Sequence, residues 1–148
     1  LDYEEFNCYK FRSMFVNENA DIDEAVKNDP RITKVGAFIR RTSIDEMPQF
    51  FNVFVGTMSV VGPRPHMLNF TEKYAVKVNK FKARHFIKPG ITGMAQTHGY
   101  RGEIENDTDI INRIKYDIFY MESWSLLLDM KIIYLTVKNA IKGEKKAY

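Results

Sequence analysis

Neither a helix nor a regular strand can run through Gly62-Pro63-Arg64-Pro65. Each proline lacks a backbone N–H donor and fixes its own φ, and Pro65 also biases Arg64 towards an extended conformation. The segment therefore closes the one before it, Met58-Ser59-Val60-Val61, which reads as a short buried strand. Restricted on both sides, the Arg64 guanidinium suits bidentate capture of a phosphate or carboxylate, although a rigid turn with an exposed arginine fits the same pattern.

Upstream, Arg40-Arg41-Thr42-Ser43-Ile44-Asp45-Glu46-Met47-Pro48-Gln49 sets two adjacent carboxylates directly after two cations. Ser43 followed three residues later by Glu46 matches a capping box and predicts a helix from Ile44 towards Val55, ended by Gly56, with Pro48 in its first or second turn. The partial positive charge of that helix start favours ionised carboxylates, and Arg40 and Arg41 push the same way if they face the site. Neighbours on a helix point about 100° apart, so Asp45 and Glu46 can hold different jobs. On the local pattern alone, a well-capped surface helix is the simpler account.

The remaining segments are short at first and longer towards the end. Tyr9 to Met14 alternates polar and apolar, a half-buried strand pattern with Lys10 and Arg12 on one face, suited to a phosphate or to solvent. Asn17 to Pro30 reads as an acidic loop with a short helix around Ile22 to Lys27. Ile32 to Arg41 has helical spacing. His66 to Phe86 is helical in character, with an apolar stripe (Phe70, Tyr74, Val78, Phe81) and a positive face (Lys73, Lys77, Lys80, Arg84) that meets solvent or anionic headgroups. Lys88 to Gly93 is predicted as a turn whose glycines can cradle phosphate, without the spacing of a Walker A loop. His98 to Asn106 is a polar loop containing Arg101. Asp107 or Asp109 then caps a helix with Ile110, Ile111, Ile114, Ile118 and Met121 on its apolar side. Asp117 sits on that helix, placed either to reach into a site or to pair with a basic neighbour. Ser125 to Ile141 is a last apolar helix, interrupted by Asp129, Lys131 and Lys138, and so interfacial or core rather than spanning.

Composition narrows the choice. A chain of 148 residues supports one domain, and 45% hydrophobic with 28% charged residues is ordinary for a folded one. The lone Cys8 excludes an internal disulfide and a cysteine-based zinc site, and His66, His85 and His98 lack metal-ligand spacing. A net charge of +3, gathered in Lys73 to Lys88 and Lys138 to Lys146, favours an anionic surface or substrate and argues against a nucleic-acid partner.

Five motifs follow one another in order: Tyr9 to Met14; Asp29-Pro30-Arg31-Ile32-Thr33-Lys34-Val35-Gly36; Arg41 to Gln49; Gly56 to Pro65; and Lys88-Pro89-Gly90-Ile91-Thr92-Gly93-Met94-Ala95-Gln96. Over nearly its whole length the chain closely resembles the catalytic domain of bacterial polyprenyl-phosphate phosphoglycosyl transferases, monotopic sugar transferases that begin exopolysaccharide, capsule and O-antigen assembly. The resemblance implies that Asp45 attacks the sugar-proximal phosphorus of a UDP-sugar to give an aspartyl-phosphosugar and UMP, and that polyprenyl (undecaprenyl) phosphate then takes the phosphosugar. It implies Glu46 as an Mg2+ ligand and Arg64, between Pro63 and Pro65, as a nucleotide-phosphate contact. Pro63, Pro65, Lys10, Arg12, Arg40, Arg84, Arg101 and Asp117 join the substrate-binding candidates. Gly99-Tyr100-Arg101-Gly102-Glu103, Trp124-Ser125-Leu126 and Ala147-Tyr148 look most like the larger members that transfer glucose or galactose phosphate.

The fold class expected is α+β: a mainly helical single domain over residues 1–148, with short strands or a hairpin and amphipathic helices at a membrane interface. With Leu1 rather than Met first, an upstream membrane region is expected before Tyr9, outside this sequence. The resemblance places the domain on the cytoplasmic face of the bacterial inner membrane. Homo-oligomerisation is left open, and the alternative reading is a membrane-surface scaffold that keeps the fold without catalysis.

Overall fold

The computed structural model describes residues 5–16, 29–66, 81–102, 104 and 106–142. The short helix expected around Ile22 to Lys27, and most of the cationic helix expected from His66, lie outside the described residues.

Helix α1 (Lys34–Arg41) falls within the predicted segment and starts where Thr33 Oγ1 accepts the Gly36 N–H at 2.8 Å, an N-cap bond. Ser13 lies against the start of this helix, its carbonyl accepting the Thr33 N–H at 3.1 Å, but the alternating stretch forms one bridge, Met14 with Ile32, rather than a strand. Gly36 makes the approach possible, because a Cβ there would sit 1.8 Å from the Ser13 carbonyl oxygen. The next helix also differs from expectation. Ile44–Glu46 is a single 3-10 turn, and α2 (Gln49–Phe54) begins only after Pro48, which stands at its N-cap. A proline tolerated at a helix start is not tolerated a turn inside one, so the segment divides there. Gly56 ends α2 with φ of 86°.

The sheet is two strands, β1 (Ser59–Val61) and β2 (Gly90–Thr92), paired parallel with Ser59 opposite Gly90 and Val61 opposite Thr92. It is therefore not a hairpin, and half of the predicted Lys88–Gly93 turn is strand. Past β1 the chain folds over β2: the Gly62 N–H donates to the Thr92 carbonyl and the Gly90 N–H to the Pro63 carbonyl, both at 2.9 Å. The glycines serve this backbone-to-backbone contact rather than a phosphate cradle.

After β2 come α3 (Met94–Thr97), α4 (Asp107–Glu122) and α5 (Leu126–Lys142). Asn106, not Asp107 or Asp109, caps α4, its Oδ1 accepting the Asp109 N–H at 3.0 Å. Two apolar clusters meet on α4: Ile110 and Ile114 pack with Phe81, and Tyr120 packs with Val61 and Ile132. Phe81–Phe86 is a 3-10 turn whose Arg84 points into the protein, so Arg84 belongs to no solvent-facing stripe. Helix α5 is anchored by Ile132, by a 2.6 Å hydrogen bond between the Thr92 and Thr136 hydroxyls, and by Asn139 donating to the Thr97 carbonyl. Its Leu126, Leu127, Met130, Tyr134, Val137 and Ile141 are exposed, as are Phe50, Phe51 and Phe54 on α2. No helix among the described residues is long and apolar enough to cross a membrane.

Candidate active site

A cavity of about 400 Å3 opens between the segment from Lys10 to Val16, the 3-10 turn and the two loops that carry Arg64 and Arg101. The turn between α1 and Asp45 is made by Ser43, which adopts a left-handed φ of 58°, an uncommon conformation for a residue with a Cβ. The capping box does not form, since Ser43 Oγ makes no cap bond and Glu46 does not reach back. Ser43 Oγ instead accepts from Arg101 Nη2 at 2.9 Å. The competing partners are charged, and a charge-assisted bond outweighs a neutral cap.

Glu46 is the meeting point of the site. Arg64 Nη2 donates to its Oε1 at 2.6 Å and Arg101 Nη2 to its Oε2 at 2.8 Å, while Lys10 Nζ lies 3.7 Å from Oε1. Burial alone raises a carboxyl pKa, but Arg64, Arg101 and Lys10 outweigh it and hold Glu46 well below the ordinary glutamate range. Burial lowers the Arg64 pKa and the Glu46 pair raises it, the pair winning.

Because the folded-state pKa of Glu46 is depressed, its contribution to stability is present above the unfolded value of about 4.3 and disappears as pH falls further. Acid titration of thermal unfolding is expected to show this loss below about pH 4, and Glu46→Gln is expected to flatten that part of the curve. An unchanged acid limb in the variant overturns the assignment.

Asp45 differs in each respect. It is half-buried, and among the described residues no donor pairs with its carboxylate, although its backbone carbonyl accepts the Phe11 N–H at 2.9 Å. Burial and then the Glu46 charge raise its pKa, against the lowering influence of Lys10, Arg40 and Arg101. One carboxylate is thus locked among cations and the other is left with its lone pairs available. That division suits a nucleophile beside an electrostatic organiser.

Of the residues singled out from sequence, Lys10, Arg12, Arg40, Asp45, Glu46, Arg64 and Arg101 line the cavity. Pro63 and Pro65 flank Arg64 outside it, and Arg84 and Asp117 pair with each other at 3.0 Å in the interior. Sequence reasoning missed Ser43 as an acceptor for Arg101, and Ser13, whose Oγ accepts from Arg40 Nη1 at 3.4 Å. Neither has a sequence signal, since both contacts join segments far apart in the chain.

Among the described residues no group of three or more His, Cys, Asp or Glu side chains forms a metal site. Two carboxylates suit Mg2+ nonetheless, because that ion keeps several waters and is commonly held by one or two carboxylates together with substrate phosphates. Five cations face these two acids in the lining, so a divalent ion fits here in company with an anionic ligand rather than alone.

Residues 1–143 match the sequence profile of a family described as bacterial sugar transferase. The chain is 52% identical, over its full length, to a UDP-glucose:undecaprenyl-phosphate glucose-1-phosphate transferase of Klebsiella pneumoniae, covering 32% of that protein. A protein of the same description from Escherichia coli (strain K12) is 48% identical over 93% of the chain and 30% of the relative. A UDP-N-acetylgalactosamine-undecaprenyl-phosphate N-acetylgalactosaminephosphotransferase of Aeromonas hydrophila is 41% identical over 94% of the chain and 33% of the relative. The chain spans about a third of the length of these relatives.

Proposed function

The chain belongs to the bacterial sugar transferase family, and from that premise we propose that it transfers a hexose 1-phosphate from a UDP-sugar to undecaprenyl phosphate and releases UMP. The observation that carries the reading is the half-buried Asp45, whose carboxylate has no partner among the described residues, beside a Glu46 held by three cations at the wall of a cavity. Glucose is the favoured sugar, because several relatives more than 45% identical to the chain are described as glucose-phosphate transferases; galactose stays in the panel of substrates to be compared.

In the first half-reaction a carboxylate oxygen of Asp45 attacks the phosphorus next to the sugar. The bond from that phosphorus to the bridging oxygen breaks, UMP departs with the electron pair, and the sugar phosphate is held on Asp45 as a mixed anhydride. In the second half a phosphate oxygen of the lipid acceptor attacks the same phosphorus and Asp45 leaves as a carboxylate. An anionic nucleophile meeting a diphosphate is opposed by charge repulsion, which Arg64, Arg101, Lys10 and Arg40 reduce. Glu46 together with the substrate diphosphate would hold Mg2+, sharing its carboxylate with Arg64 and Arg101, and the ion would supply further charge neutralisation. Arg64 and Arg101 are both fixed by Glu46 before substrate arrives, so little reorganisation is needed.

The lipid acceptor places the reaction at a membrane surface, in this reading the cytoplasmic face of the bacterial inner membrane. The exposed apolar side chains of α2 and α5 support contact with such a surface.

The test is UMP release from a panel of UDP-sugars by the full-length protein in bilayer nanodiscs containing undecaprenyl phosphate, with and without a chelator. Release that needs both the lipid and a divalent cation is expected, fastest with UDP-glucose; no release from any UDP-sugar overturns the proposal. In the same assay the acid limb of kcat/KM is expected above the ordinary aspartate pKa of about 3.9, because a raised Asp45 pKa leaves it protonated to higher pH. Glu46, shifted the other way, contributes no limb there.

A further inference from the structure

One turn of α4 reaches both arginines that hold Glu46, without any α4 residue lining the cavity. Arg113 and Asp117 stand four residues apart on the same face and are 5% and 2% exposed. Arg113 Nη2 donates to the Gly102 carbonyl at 2.7 Å, immediately after Arg101 in the chain. Asp117 pairs at 3.0 Å with Arg84, itself 3% exposed, and Arg84 Nη2 donates to the backbone carbonyl of Arg64. Each loop that presents a guanidinium to Glu46 is therefore held by its main chain from the same helical turn.

We propose that Arg113 and the Arg84–Asp117 pair are positioning residues, two arms of one brace that set Arg101 and Arg64 independently at the diphosphate site. The proposal rests on the reading of the cavity as a UDP-sugar site. Burial raises the Asp117 pKa against the pull of Arg84 and Arg113, and lowers that of Arg84 against the pull of Asp117. A buried ion pair of that kind is a poor source of stability and can be exchanged for apolar side chains at little thermodynamic loss. What the exchange removes is the hydrogen bond to the Arg64 carbonyl, and with it the placement of the guanidinium. A misplacement of about 1 Å at such a site is enough to lower rate on the order of a hundredfold.

The two arms make separable demands, which a crossed set of double-mutant cycles reads. The full-length protein in nanodiscs is measured for UDP affinity by calorimetry, for kcat/KM in UMP release, and for thermal unfolding. Arg84→Met with Asp117→Leu, and separately Arg113→Met, are each expected to weaken UDP binding and kcat/KM about tenfold or more while leaving the unfolding temperature unchanged or higher for the apolar pair. In an Arg64→Lys background the effect of the apolar pair is expected to vanish while that of Arg113→Met persists; in an Arg101→Lys background the pattern reverses. Wild-type affinity and turnover in the apolar pair, or equal losses in both backgrounds, overturns the brace. Should the apolar pair fail to fold, Asp117→Asn, which keeps shape and volume, carries the same crossed expectation. If the unaltered protein binds UDP and shows the crossed pattern but releases no UMP, the transferase reading fails and the brace stands; UMP release without the crossed pattern has the opposite meaning.

Discussion

Asp45→Asn is expected to reduce UMP release by at least about a thousandfold while leaving the protein folded and able to bind UDP. The amide keeps the shape of the side chain and removes the nucleophile, since an amide oxygen cannot form and release a mixed anhydride with phosphate. Stability is expected to move in the opposite direction. Burial raises the Asp45 pKa, so its ionised form is disfavoured in the folded chain and stability declines as pH rises through the interval between the unfolded and folded values. Removing that charge is expected to raise the unfolding temperature slightly at neutral pH, an activity for stability exchange typical of functional carboxylates. Turnover near wild type in the variant, measured in nanodiscs with the lipid acceptor, would exclude Asp45 as the attacking group.

The second large effect concerns the fold that carries the site. In Gly90→Ala the new Cβ would lie 2.1 Å from the Gly62 nitrogen, 2.5 Å from the Thr92 carbonyl oxygen and 2.7 Å from the Gly62 Cα. All three are backbone atoms, so no side-chain rotation relieves the overlap, and β1 and β2 must separate. A loss of about 4 kcal/mol or more is expected, on the scale of the most damaging single substitutions. For a domain of this size that is a fall of roughly 10 °C or more in unfolding temperature. Arg64 lies two residues beyond Gly62, so activity is expected to fall in any molecules that stay folded. Gly99→Ala provides the comparison: its φ of 88° disfavours a Cβ, but nothing lies within 4 Å of the place one would occupy. Its expected loss is only about 1 kcal/mol, the penalty of the backbone conformation alone. Equal unfolding temperatures for the two variants would show that the strands do not approach this closely.

These contrasts mark what local sequence could and could not show. Helix α1 and helix α5 were legible because their signals are periodic and local, and the Asp45-Glu46 pair and Arg64 because the motif order isolated them. The capping box failed because a serine and a glutamate three apart encode a cap only if no stronger partner exists, and Arg64 and Arg101 come from 18 and 55 residues away. Lys88 to Gly93 looked like a turn because glycine marks turns; here it marks the contact of two main chains. Arg84 looked like part of a charged stripe because helical spacing says nothing about which cations find a buried carboxylate. Arg113 carried no motif at all. The residues of the candidate site were legible and the buried pairs behind them were not, since the former is a matter of residue identity and the latter of long-range pairing.

The convergence of Lys10, Arg64 and Arg101 on one carboxylate also bears on how the protein matures. Contacts separated by so much chain carry a loop-closure penalty that only the rest of the fold can offset, and they tend to form late in folding. Until they form, no partly folded chain holds the three cations around Glu46 or presents Asp45 to a phosphate. In the proposed reaction, reactivity towards a sugar nucleotide therefore belongs to the finished fold rather than to any one segment of the chain.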